Sequence, residues 1–193
     1  MSRVAKCALL LAACVLLEGV ATSQGDLFAF MPEGGKSLLL ELILGAETPA
    51  DIMSPVTEKR SQPEWLQYLA SNAQRLPAVS RFSDKQLKTL AAYLAINMPI
   101  VAPTLPGNAD EAAWRKVLPA DGRDLALKNC QQCHSIYSGY LTQARDVQGW
   151  RGTFDAPFHN GIQLSEKERE TFASYSAINM PVPEESVPAA LRY

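Results

Sequence analysis

An all-α chain made of two tandem helical modules is the fold class the sequence predicts, and three observations predict it. No stretch alternates apolar and polar residues as a half-buried strand would. Leu90–Val101 (LAAYLAINMPIV) returns as Phe172–Pro183 (FASYSAINMPVP), and self-similarity at long period marks a duplicated unit. The likeness also extends upstream. Arg60 and Trp65 match Arg145 and Trp150, Ser83-Asp84-Lys85-Gln86 matches Ser165-Glu166-Lys167-Glu168, and Gly35-Lys36-Ser37-Leu38 matches Gly122-Arg123-Asp124-Leu125. The offset shrinks from 87 to 82 residues along the chain, as loss of a few loop residues in the second copy would give.

Composition sets the outer limits. The 193 residues are 47% hydrophobic and 20% charged with formal net charge −2, which suits a soluble globular chain of one domain or two small ones and excludes a polytopic membrane protein. That balance offers no basic footprint for nucleic acid.

Residues 1–23 read as a secretory signal peptide. Arg3 and Lys6 precede the 11-residue apolar run Cys7–Leu17, and Ala21-Thr22-Ser23 supplies the small residues of a cleavage site. The run is too short to span a bilayer, which takes about 20 residues, so no membrane span is expected in the mature chain. Leu11-Ala12-Ala13-Cys14 resembles a lipobox, but the apolar run continues past Cys14, so cleavage after Ser23 rather than a lipid anchor is expected. Export places the mature chain in the periplasm and removes Cys7 and Cys14, leaving Cys130 and Cys133 as its cysteines.

The first module is expected over 24–101, the Pro/Gly-containing linker over 102–108 and the second module over 109–193. In each, a first helix runs over about Lys36–Leu44 or Arg123–Cys133, and a middle helix surrounds Trp65 or Trp150. A last helix opens on a capping box, Ser83-x-x-Gln86 or Ser165-x-x-Glu168, in which side chains satisfy first-turn N–H groups. Leu87, Leu90, Ala91 and Leu94 share one face of that helix, as do Phe172, Tyr175 and Ile178 in the second copy. It ends before Pro99 or Pro181, because proline disfavours helical geometry in the residue preceding it.

Cys130-Gln131-Gln132-Cys133-His134 is a C-x-x-C-H sequence, the attachment signal of c-type haem. Residues three apart share a face of a helical turn, so both thiols can reach the two vinyl groups of one porphyrin, and the following His134 can bind the iron as proximal ligand. Three other chemistries compete. A thioredoxin-like pair needs a strand–helix setting, and zinc needs four ligands from a mature chain holding only Cys130, Cys133, His134 and His159. A plain disulfide between Cys130 and Cys133 is the third.

Residues 109–193 resemble a class I c-type cytochrome domain, on Gly122 and Leu125 in a first helix, the C-x-x-C-H motif closing it, and Tyr175 in a final helix. They are similar in particular to the subfamily in which the haem motif is followed by Arg, then Trp, then an axial ligand and the last helix. The resemblance implies an exported electron carrier with one covalent haem c, serving as the electron-transfer subunit of a periplasmic dehydrogenase complex. The implied partner is therefore that enzyme's catalytic subunit.

Such domains usually place a distal Met between the motif and the last helix, and this chain has none between Ser135 and Leu164. His159 stands near that place and is the expected distal ligand. Met180 is its rival, although its counterpart Met98 belongs to a copy without the motif. Arg145 is a candidate contact for a haem propionate, with an intramodule contact as the alternative because Arg60 repeats it. Across the repeat, Cys130, Cys133 and His134 fall opposite Ile43, Ala46 and Glu47. The first module is therefore expected to be a degenerate, haemless copy that docks a partner or shields the haem. Two further functions stay open: a haem enzyme acting on a small substrate at a displaceable sixth position, and a sensor or interaction subunit.

Overall fold

The computed structural model describes residues 27–100, 105–106, 110–131 and 135–193; the expected signal peptide, most of the expected linker, Cys133 and His134 lie outside the described residues. Helices account for the regular structure, and no strand occurs among the described residues. The order is α1 (Gly35–Leu44), α2 (Pro49–Thr57), α3 (Gln62–Ser71), α4 (Asp84–Asn97), α5 (Glu111–Val117), α6 (Gly122–Asn129), α7 (Val147–Arg151) and α8 (Glu166–Asn179). Short 3₁₀ turns lie at Pro77–Arg81, Gly152–Asp155 and Pro157–His159, and a π turn at Tyr137–Leu141. No helix among the described residues is long and apolar enough to cross a membrane.

Repeated residues make repeated contacts. A Cβ placed on Gly35 would stand 2.2 Å from the Cβ of Tyr93, and one on Gly122 would stand 2.1 Å from that of Tyr175. Glycine therefore lets α1 cross α4, and α6 cross α8, at a separation that a side chain would forbid. Ser83 and Ser165 cap α4 and α8 through the expected boxes, each hydroxyl accepting from the N–H three residues on. Both helices end as expected, with Met98 and Met180 as their C-caps before cis prolines. Further along, the N–H of Ile100 donates to Val56 O, and that of Val182 to Leu141 O, both at 2.9 Å.

Helix α6 is shorter than the sequence predicts. It stops at Asn129, where the side chains of Asn129 and Gln131 turn back to donate to Leu125 O and Leu127 O. Leu127 O belongs to the last turn, whose carbonyls have no partners farther along the helix. Helices α2 and α5 go beyond the elements read from the sequence. Pro55 inside α2 argues against a helix by pattern, yet Ile52 and Val56 there are buried.

The buried side chains form two cores, and each receives a segment from across the linker. Trp114 and Leu118, at the α5 end, pack into the core built by α1–α4, whereas Met31 packs into the core built by α6–α8. Reciprocal polar contacts join the halves along α4 and α8. Asn97 donates to Thr171 Oγ1 at 3.1 Å, and Asn179 donates to Thr89 Oγ1 at 3.0 Å. Tyr93 donates to Pro119 O, and Tyr175 to Pro32 O. Each pair maps onto the other through the repeat, the pattern of a self-complementary two-fold interface within one chain.

Candidate functional site

The second core contains a small pocket of about 40 Å³, partly open to solvent. The end of α6 brings Cys130 to its wall, the π turn brings Tyr140, α7 brings Trp150, and α8 brings Phe172. The 3₁₀ turns that follow α7 add Thr153, Phe154 and His159. The rings interlock edge to face, with centroids 5.2 Å apart for Tyr140 and Trp150, 5.8 Å for Trp150 and Phe172, and 5.0 Å for Phe154 and Phe172. These ring faces and edges make the lining predominantly aromatic and apolar. Cys130 and His159, far apart in sequence, thus face one space.

His159 is half-buried and closes the turn that starts at Pro157. Its Nδ1 bonds the main-chain carbonyl of Thr153. A carbonyl only accepts, so Nδ1 carries the proton, and in the neutral ring Nε2 is then the nitrogen with the lone pair. This is the tautomer that a metal-binding imidazole needs, and the carbonyl also fixes the plane of the ring. The N–H of His159 donates to Ala156 O and its carbonyl accepts from Ile162, so the backbone is held on both sides.

Cys130 is the C-cap of α6 and its thiol is free. Burial pushes that thiol up to about 12, so it stays protonated at neutral pH. Tyr140 donates to Ser176 Oγ at 2.9 Å, the serine hydroxyl being committed to Phe172 O, and burial holds the phenol well above its ordinary range. Arg145 lies over Trp150, 5.1 Å from the ring centroid, and donates from a guanidinium nitrogen to Thr153 Oγ1 at 3.2 Å. Met180 is buried in the second core but does not line the pocket, and Met98 occupies the equivalent place in the first core. Cys133 and His134 lie outside the described residues.

At the equivalent place in the first half there is packed hydrocarbon. Leu42, Ile43, Trp65, Leu69 and Leu90 stand opposite Asn129, Cys130, Trp150, Phe154 and Phe172, and all five are buried in the first core. Leu76, within the segment opposite His159, is buried there too. One feature is common to both halves. Trp65 and Trp150 each keep a buried indole N–H without a hydrogen-bond partner among the described residues, so that orphan does not distinguish them.

No family model, curated protein or solved structure matches the chain. Function must therefore be argued from the pocket itself. Thr153, Tyr140 and Phe154 are site residues that the sequence reading did not single out. Thr153 could have been found by contrast, since the repeat sets it opposite Tyr68.

Proposed function

We propose that the chain is an exported monohaem c-type cytochrome that passes single electrons, with the working haem in its second half and a haemless copy in its first. The observation that carries this reading is the shared pocket of Cys130 and His159, beside an equivalent place filled with side chains. The donor set fits the group: a thiol, an imidazole with a free Nε2, and an aromatic enclosure. Cys130 and Cys133 would hold it, each S–H adding across a vinyl C=C to form a thioether with no net redox change. His134 and His159 would hold its iron through their imidazoles.

When bound, haem would supply one-electron chemistry. The protein's contribution is to orient and to insulate. Tyr140, Trp150, Phe154 and Phe172 keep water away and fix the plane available to the ligand. The imidazoles of His134 and His159 would make a bound iron low-spin and would favour a lower potential than His with Met, because Met is the ligand that raises it. Covalent attachment suits transient docking to a partner, which we take to be the catalytic subunit of a periplasmic dehydrogenase. The filled first half serves as a docking or shielding body for that complex.

Spectroscopy of the purified haem-loaded protein tests the ligand set. His159→Ala is expected to convert the ferric spectrum from low- to high-spin while the haem stays covalently attached, and Met180→Ala is expected to leave it low-spin. The reverse pair of results would overturn the assignment.

A further inference from the structure

We propose that Arg145 and Thr153 are positioning residues for His159, acting through the Thr153 main chain; this rests on His159 being an iron ligand. Arg145 divides its guanidinium between two contacts, the face of Trp150 at 5.1 Å and Thr153 Oγ1 at 3.2 Å. The threonine hydroxyl donates in turn to Gly149 O at 3.4 Å, which ties the 3₁₀ turn back to α7. From that same residue the carbonyl accepts the Nδ1 proton of His159. Arg145 and the Thr153 hydroxyl thus fix a carbonyl, and the carbonyl fixes both the tautomer and the azimuth of the imidazole.

The first half separates this role from simple packing. Arg60 repeats the stack, 5.2 Å from the Trp65 centroid, but Tyr68 stands where Thr153 would be and the arginine lies over its ring at 4.5 Å. There Arg60 pairs with Glu58, and the segment opposite His159 is Gln74-Arg75-Leu76-Pro77, with no histidine. Stacking on tryptophan is therefore common to both halves. The hydroxyl link is found in the half where a histidine must be aimed.

The test uses haem-loaded full-length protein and two readouts besides activity: the rate at which cyanide replaces the distal imidazole, and the low-spin ferric EPR spectrum, whose g values follow the orientation of the axial rings. Thr153→Val and Arg145→Gln are each expected to speed cyanide binding by up to about tenfold, the worth of one charge-assisted hydrogen bond near the surface. Both are expected to shift the g values. Thr153→Ser is expected to restore wild-type behaviour, and the double variant to show no more than the larger single effect, because both changes break one chain of contacts. Unchanged rates and g values in both single variants, or fully additive rates in the double, would overturn the proposal while His159→Ala still gave a high-spin iron. If His159→Ala leaves the iron low-spin, the ligand reading itself falls, and this proposal with it. Arg145→Gln leaves the turn's own sequence intact and decides the matter should Thr153→Val fail to load haem.

Discussion

Gly35 and Gly122 sit where two helices cross too closely for a Cβ, each against the Cβ of a tyrosine in the last helix of its half. A methyl group there must push two backbones apart. Gly122→Ala also meets Thr171 O at 2.9 Å, so it is expected to cost about 3 kcal/mol, read as a lower urea midpoint with unchanged slope. The polar residues between the halves make a second prediction. Asn179→Ala strips a buried donor from Thr89 Oγ1 and Tyr175 O and is expected to cost about 1–3 kcal/mol. At this scale the sequence was informative where chemistry is rare. Two histidines and a C-x-x-C-H motif drew attention to Cys130 and His159, and the pocket brings both to one wall. Thr153 escaped notice because its part is played by a main-chain carbonyl, which every residue has.

Among the elements, the two capped last helices were the most legible, since Ser-x-x-Gln and Ser-x-x-Glu state their own hydrogen bonds. Helices α2 and α5 were not, because tertiary burial of Ile52, Val56 and Trp114 decides them against weak local pattern. The start of α6 holds a shared cap that neither copy alone would suggest. One oxygen of Asp121 accepts from Asp124 N, at 2.9 Å, and the other from Lys36 N of α1, also at 2.9 Å. The position opposite is Gly34, where a Cβ would lie 2.0 Å from that carboxylate, so one acid serves two helix starts. Burial raises the Asp121 carboxyl above its ordinary range and the charge of Asp124 adds to this, against the pull of the two N–H groups and Lys36. The folded chain thus holds this proton more tightly than the unfolded chain. Its contribution to stability is full below the ordinary carboxylate range and is lost as pH rises through the raised value. The stability advantage of wild type over Asp121→Asn is therefore expected to shrink as pH climbs from about 4 toward neutrality. Urea titrations across that interval check it, and a growing advantage would contradict it.

For the molecule as a whole, the repeat was legible but the way its halves interlock was not. Trp114 sits beyond the linker in sequence and packs into the first core, while Met31 near the start packs into the second. Local periodicity carries no information about such an exchange. The difference between the halves was better foreshadowed: the repeat sets Ile43 opposite Cys130, and Ile43 is buried in the first core. The central claim is one covalent haem in the second half. Mass spectrometry of protein exported by cells competent in c-type haem attachment, denatured and stripped of loose cofactor, tests it most directly. The expected mass is increased by one haem, carried on the peptide that contains Cys130 and Cys133 and lost in the Cys130→Ala/Cys133→Ala variant. An unmodified peptide there, or a second haem elsewhere in the chain, would contradict it.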